Sequence, residues 1–198
     1  PPEGRFIFAS NHPLGALDGV ALIRFFGHFY SGKIKFLVND LLMHIKPLAP
    51  VFLPINKYGS QAKESSLQIN NAYESDEQML IFPAGLCSRL QHGKIKDLEW
   101  KKTFIAKAVQ SQRDIIPIYF EGRNSTFFYR FAQIRKCIGL KFNIELIYLP
   151  DEMFNSKNKT FDIYIGKPIP WQTFDKSKSL QEWAQIVKEK VYQIKKNQ

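Results

Sequence analysis

The chain has 198 residues, 44% of them hydrophobic and 23% charged, and a formal net charge of +10. This length and composition predict one folded domain over residues 1–198 and exclude a disordered or fibrous chain. Two cysteines are too few for the disulfide framework of small secreted proteins, and they fit a reducing compartment. The sequence has no secretory signal and no apolar run long enough to cross a bilayer. Because it starts at Pro1, we expect a preceding segment, for which a membrane anchor is one candidate.

The positive charge is concentrated in the second half of the chain. Residues 1–99 hold 10 Lys and Arg against 9 Asp and Glu, whereas residues 100–198 hold 18 against 9. This asymmetry predicts an acidic partner, such as an anionic membrane surface or an acidic carrier protein, or else a surface that is basic for solubility. Nucleic acid is not expected as a partner, because the lysines are scattered and no nucleic-acid-binding motif is present.

Apolar runs and helical periodicities alternate along the chain. In chain order they predict strand 5–10, helix 18–30 with Asp18 as its N-cap, strand 34–38, helix 40–45, strand 51–55, helix 61–75, strand 79–82, a long polar loop 84–99, helix 100–110, strand 115–120, helix 125–137, and strands 143–149 and 161–165. Pro54 marks 51–55 as an edge strand or a strand end. The alternation predicts an α/β domain with a mostly parallel or mixed central sheet flanked by helices.

The last predicted helix, residues 179–196, has the clearest signal. Ser179 followed by Glu182 forms a capping box. Five apolar residues then fall on one face at helical spacing: Leu180, Trp183, Val187, Val191 and Ile194. Such a helix packs on its own domain or lies on a membrane surface, and we favour packing on the domain.

Two loops that follow predicted strands carry the polar residues of greatest chemical interest. Residues 11–18 contain His12 and Asp18, and residues 82–89 contain Gly85, Ser88 and Arg89. In α/β sheets ligands bind beyond the carboxyl ends of the strands, where both loops are placed. The sequence therefore predicts that the two loops form one site.

The chemistry of each loop follows from its side chains. His12 can take a proton from a hydroxyl if Asp18 orients the imidazole, although a structural His beside a capping Asp is an equal alternative. Gly85 lets a ligand approach the backbone, and Ser88 and Arg89 can bind an anion, unless this is an ordinary basic surface loop. A nucleophilic role is disfavoured for Cys87, because no basic group is placed beside it by sequence.

Four segments together resemble a known family. Asn11-His12 followed by Asp18 resembles the His–Asp motif of the PlsC-type glycerolipid acyltransferases, and residues 82–89 resemble their Phe-Pro-Glu-Gly-Thr-Arg-Ser motif. Residues 51–56 lie where their second motif falls, and residues 115–118, which include Pro117, resemble the fourth. The order and spacing of all four motifs match, so the resemblance covers about residues 5–125.

Two departures from the family pattern indicate a particular branch. Five residues separate His12 from Asp18 where the usual motif has four, and Ala84 replaces the usual Glu. Both features resemble a branch named for hemolysins, which is similar to the acyltransferases that O-acylate lyso-ornithine and related amino-acid lipids. An aminolipid acceptor ends in a carboxylate, a group that Arg89 is suited to bind.

The resemblance implies a glycerol-3-phosphate acyltransferase-like fold and the transfer of an acyl group from a thioester to a lipid hydroxyl, without metal or cofactor. It implies His12 as the base, Asp18 as its partner, and Gly85, Ser88 and Arg89 as the headgroup site. Further candidates for supporting roles are Asn11, Asn56, Lys94 and Pro117. The implied donor is acyl-carrier protein or acyl-CoA, the acceptor is a lyso-lipid, and the location is the cytoplasmic face of the inner membrane, peripheral or anchored by a preceding segment.

Three alternatives stay open at this point. Lysophosphatidic acid is the acceptor of a 1-acylglycerol-3-phosphate acyltransferase. The same His–Asp pair could activate water in a hydrolase, although the chain lacks a Gly-x-Ser-x-Gly elbow. A non-catalytic, hemolysin-like lipid-binding protein would use the basic half and the last helix.

Overall fold

A central sheet of six strands organises the protein. The computed structural model describes residues 3–38, 43, 46–55, 61–140 and 142–195, without the side chains of residues 61 and 62. The strands of this sheet are β1 (Phe6–Ser10), β2 (Ile34–Val38), β3 (Phe52–Pro54), β4 (Gln78–Ile81), β7 (Asp114–Phe120) and β8 (Ile163–Ile165). Their order is β3-β2-β4-β1-β7-β8, with five strands parallel and β8 antiparallel at the edge. The sheet confirms the predicted α/β class and the edge position of the strand that contains Pro54.

Helices cover both faces of the sheet. They are α1 (Leu17–Phe29), α2 (Gln61–Glu74), α3 (Thr103–Ser111), α4 (Thr126–Cys137), α5 (Leu149–Phe154) and α6 (Leu180–Ile194). Alternate residues of a strand point to opposite faces. Phe8 of β1 therefore joins the core beneath α1, while Ile7 joins the core beneath α2, α3 and α6. Because the central strands are buried on both faces, they read as continuous apolar runs.

Two predicted segments differ from the structure. The loop predicted over 84–99 contains a small antiparallel hairpin, β5 (Arg89–Gln91) and β6 (Lys94–Lys96). The strand predicted over 143–149 is wrong: Ile144–Tyr148 is a 3₁₀ helix, and α5 follows it directly. A short apolar run cannot distinguish strand from helix, and Pro150 in the first turn of α5 favours the helix. Apart from Met43, the helix predicted over 40–45 lies outside the described residues.

The last helix confirms its sequence signal. The Ser179 side chain accepts a hydrogen bond from the Glu182 amide, and the Glu182 side chain accepts one from the Ser179 amide. Val187 and Val191 are buried against the sheet, so α6 packs on its own domain, as favoured from the sequence. No helix in the described part of the chain is both long and apolar enough to cross a membrane.

Candidate active site

The two polar loops meet at one edge of the sheet, as predicted. β1 pairs in parallel with β4, with Ala9 opposite Ile81, so the residues that follow these strands emerge side by side. The Asn11 side chain fastens the first loop to the end of β7: its amide donates to the Phe120 carbonyl (3.0 Å), and its oxygen accepts from the Phe120 amide (2.7 Å). Asn11 is buried and faces the backbone, which gives it a structural role in placing the loop.

His12 and Asp18 form a closely held pair. Nδ1 of His12 lies 2.9 Å from Oδ2 of Asp18, and the Asp18 side chain is fully buried. The same carboxylate accepts hydrogen bonds from the amides of Leu14 (2.9 Å), Gly15 (3.3 Å) and Gly19 (2.9 Å). The five residues between His12 and Asp18 therefore form a loop in which the amides of Leu14 and Gly15 face the carboxylate.

The charge of Asp18 is stabilised within the loop. Burial would raise the pKa of Asp18, but the charge and hydrogen bond of His12 and the amides of Leu14 and Gly19 outweigh burial and hold it below its usual range. Asp18 is thus ionised at neutral pH and able to stabilise an imidazolium. The predicted N-cap role is wrong: Ala16 occupies the N-cap of α1 without a side-chain cap, and Asp18 lies inside the first turn.

The His12 ring is held on one face and at one nitrogen. The His12 ring stacks on Phe82 with 3.8 Å between ring centroids, which fixes its plane. The His12 side chain is 14% exposed, and none of the described residues hydrogen-bonds its Nε2. A proton on Nδ1, donated to Asp18, leaves a lone pair on Nε2 to accept a proton from an incoming hydroxyl.

Asp97 supports this loop and was missed from the sequence. The buried Asp97 carboxylate accepts hydrogen bonds from the His12 amide (3.2 Å), the Ser88 hydroxyl (2.5 Å) and the Trp100 indole (2.8 Å). The amide of Asp97 in turn donates to the Tyr192 hydroxyl on α6 (2.8 Å). Burial raises the pKa of Asp97 although these hydrogen bonds oppose the rise. The sequence gives little indication of this role, because Asp97 stands there as a single acid after the two lysines of β6.

Ser88 and Arg89 face the protein rather than the open side of the site. Ser88 is buried, and its hydroxyl donates to Asp97 instead of facing solvent. Arg89 donates to Glu145 (2.8 Å) and to the carbonyl of Cys87 (2.9 Å), and Arg135 holds the other oxygen of Glu145 (2.8 Å). The headgroup role predicted for these two side chains stays a prediction, and the structure gives both a partner within the fold.

Lys101 is a second residue that the sequence did not single out. Gly85 adopts a left-handed conformation (φ +69°) in the turn that follows Phe82. A Cβ at position 85 would lie 2.8 Å from Nζ of Lys101, whose own amide donates to the Pro83 carbonyl (3.1 Å). The left-handed backbone favours glycine at this position, and the ammonium of Lys101, an exposed residue, lies against the turn.

The remaining site candidates lie on β6 and β7 or outside the described residues. Lys94 is exposed on β6, Pro117 is buried within β7 opposite Ala9, and Asn56 lies outside the described residues. Cys87 has Arg89 at 2.7 Å from its sulfur, so the expectation that no basic group lies beside it is wrong. Burial nevertheless raises the pKa of the Cys87 thiol, which disfavours a nucleophilic thiolate.

Comparison with known proteins is consistent with this geometry. The model of a family described as acyltransferase matches residues 1–198. A lyso-glycine lipid O-acyltransferase from Bacteroides thetaiotaomicron is 57% identical over 194 residues, which cover 98% of this chain and 71% of that protein. The chain belongs to the acyltransferase family. A protein of the same name from Phocaeicola vulgatus is 54% identical. That match covers 98% of this chain and 70% of the Phocaeicola protein.

The fold of this acyltransferase is also found in a solved structure. The 1-acyl-sn-glycerophosphate acyltransferase PlsC from Thermotoga maritima superimposes with a TM-score of 0.56 at 18% identity, covering 98% of this chain and 68% of the PlsC chain. At this identity the likeness concerns the fold. The PlsC-like fold and the acyltransferase class predicted from the sequence are both confirmed.

Proposed function

We propose that this acyltransferase moves a fatty acyl group from a thioester to the hydroxyl of a lyso-glycine lipid. The observation that carries the proposal is the 57% identity, over 98% of the chain, to a relative named for this activity. The geometry supports the same chemistry, because His12 and Asp18 form a supported base at the open edge of the sheet.

In the proposed reaction His12 acts directly on the acceptor hydroxyl, with Asp18 as its support. Nε2 of His12 takes the proton of the acceptor hydroxyl while the oxygen attacks the thioester carbonyl. The carbon–oxygen bond forms, the carbon–sulfur bond breaks, and the proton on Nε2 passes to the leaving thiolate. Asp18 keeps Nδ1 protonated and stabilises the imidazolium between the two proton transfers.

We propose acyl-carrier protein or acyl-CoA as the donor and the cytoplasmic face of the inner membrane as the place of the reaction. Both donors are thioesters with anionic phosphate groups, and a carrier protein is acidic. The excess of 18 Lys and Arg over 9 Asp and Glu in residues 100–198 supports contact with such partners.

The acceptor is identified by competition among lyso-lipids. Purified protein and labelled acyl-carrier protein are offered lyso-glycine lipid, lyso-ornithine lipid and lysophosphatidic acid in parallel, with the His12→Ala variant as the background. We expect transfer to lyso-glycine lipid at the highest kcat/KM. Transfer to lysophosphatidic acid alone would assign the protein to phospholipid synthesis, and release of free fatty acid without any acceptor would make it a hydrolase. Repeating the assay with acyl-CoA identifies the donor.

We further propose that Lys101 contacts the carboxylate of the acceptor, because its ammonium lies against the Gly85 turn and is exposed. Lys101→Ala is expected to raise the acceptor KM about tenfold at an unchanged kcat, the loss of one charge-assisted hydrogen bond. Lys102→Ala removes the same charge from the neighbouring, exposed position and serves as the matched control. Equal KM values for the two variants would remove Lys101 from the acceptor site.

A further inference from the structure

Exposed apolar side chains are concentrated in one part of the structure. Of the twelve large hydrophobic residues that are exposed in the described chain, seven lie between residues 127 and 154. Single exposed hydrophobic residues are ordinary, whereas a cluster marks an interaction surface. We call this surface the apolar face and define it by Phe127, Ile134, Ile138, Phe142, Ile147 and Phe154.

The apolar face begins as a stripe along α4. Positions 127, 131, 134 and 138 follow one another at helical spacing, so they share one side of the helix. Phe127 stacks on Phe131 with 5.8 Å between ring centroids, and both rings contact Tyr148. Phe142 and Ile147, with 81% and 76% of their surface exposed, extend the apolar surface beyond the helix.

The opposite side of the same helix packs directly on the catalytic loops. Phe128 and Tyr129 are buried in a cluster with Cys87, and the Asn124 side chain donates to the Leu14 carbonyl (3.3 Å). Leu149 also packs against the first loop. Its methyl groups approach Gly15 so closely that a Cβ at that position would lie 3.0 Å from them. The segment from α4 to α5 thus carries the apolar face on one side and packs against the loop of His12 and Asp18 on the other.

The charges around the apolar face have one predominant sign. Arg130, Lys136, Lys157 and Lys159 are all exposed on or beside its elements. Of the three acids in the same stretch, Glu145 is buried between two arginines and Glu152 accepts hydrogen bonds from Ser125. Asp151 is the remaining acid of this stretch, and it is exposed.

We infer that the apolar face, with its basic neighbours, binds the surface of an anionic lipid bilayer and brings the loop of His12 to the membrane. Exposed aromatic and aliphatic side chains enter the headgroup region, and lysine and arginine attract anionic lipids. An anionic bilayer offers a partner to each property, an apolar interior to the exposed hydrophobic residues and charged headgroups to the basic ones. The biological reason for this binding rests on the proposed function, since a lipid substrate lies in the membrane. The binding itself is measured without the acyl-transfer reaction.

The test is cosedimentation with vesicles of phosphatidylcholine alone or mixed with phosphatidylglycerol. The double variant Phe142→Ser with Ile147→Ser is compared with a control, Leu67→Ser with Ile165→Ser, which alters exposed hydrophobic residues elsewhere. We expect the mixed vesicles to bind the wild type and the control alike, and the apolar-face variant at least about tenfold less. In about 0.5 M NaCl the advantage of the mixed vesicles should disappear.

Three results would overturn the inference. The first is equal vesicle binding by the apolar-face variant and the control variant, and the second is no binding of the wild type to mixed vesicles. The third is a wild type that binds no lipid and is a dimer, with an apolar-face variant that is a monomer, which would assign the face to a second copy. Circular dichroism establishes that both variants are folded. Acyl transfer to a detergent-dispersed acceptor separates this inference from the proposed function. If both are right, the apolar-face variant loses vesicle binding but keeps acyl transfer to this acceptor.

Discussion

Replacement of His12 by alanine is expected to lower acyl transfer by about 10²–10⁴-fold without unfolding the protein. Nε2 of the imidazole has no hydrogen-bond partner among the described residues, while Nδ1 lies 2.9 Å from the buried Asp18 carboxylate. The loop around Asp18 stays in place through the amides of Leu14, Gly15 and Gly19. Initial rates with saturating donor and acceptor measure the loss in kcat.

The control for this result is His28→Ala, which removes an exposed histidine from the end of α1 and should leave the rate unchanged. Asp18→Asn is expected to lower kcat more than it raises either KM, because the amide keeps the shape but does not stabilise an imidazolium. A folded His12→Ala variant with wild-type kcat would show that another group accepts the proton.

Replacement of Glu145 by glutamine is expected to destabilise the protein by about 3–5 kcal/mol. The Glu145 side chain is fully buried between Arg89 and Arg135, each of which has only 12% of its side chain exposed. Removing the carboxylate charge leaves two largely buried guanidinium groups without the counter-charge of Glu145. Urea unfolding, followed by circular dichroism, measures the change in the free energy of unfolding.

A second pair of variants separates charge from shape. Glu121→Gln breaks an exposed ion pair with Lys195 and should not change stability measurably. The triple variant Arg89→Met, Glu145→Leu, Arg135→Met removes all three charges together and should recover most of the lost stability. If Glu145→Gln is as stable as the wild type, the buried cluster does not hold this region together.

The triple variant also decides the role of Arg89. The resemblance implies that Arg89 holds the anionic headgroup, whereas the structure places its guanidinium against Glu145 and Cys87. A stable triple variant with a normal acceptor KM would assign Arg89 to the fold. A raised KM in the same protein would restore it to the headgroup site.

The sequence predicted those parts of the fold that depend on local signals. Runs such as Phe6–Ser10 predicted the strands because both faces of the sheet are covered, and Ser179 with Glu182 marked the start of α6. The two loops could be placed together because the carboxyl ends of parallel strands share an edge. The pairing of His12 with Asp18 followed from the motif and is present in the structure.

Long-range contacts were not predictable in the same way. The link between Asp97 and His12 spans 85 positions and leaves no periodic signal. Arg113 is fully buried and donates to the carbonyls of Tyr73 and Glu77, a cluster that resembles no motif. The segment that holds Glu145 was predicted as a strand from its short apolar run, and its ion pairs with Arg89 and Arg135 come from residues far away in the sequence.

The hydrogen bonds of Asp97 also bear on the order in which this part of the fold can be completed during synthesis. Through Asp97, the amide of His12, which precedes α1, is joined to the Tyr192 hydroxyl on α6. A ribosome exposes His12 and Asp18 long before it has made α6. An unfinished chain therefore contains His12 and Asp18 before Tyr192 is present, and the hydrogen bond from Asp97 to Tyr192 can form only after α6 has been made.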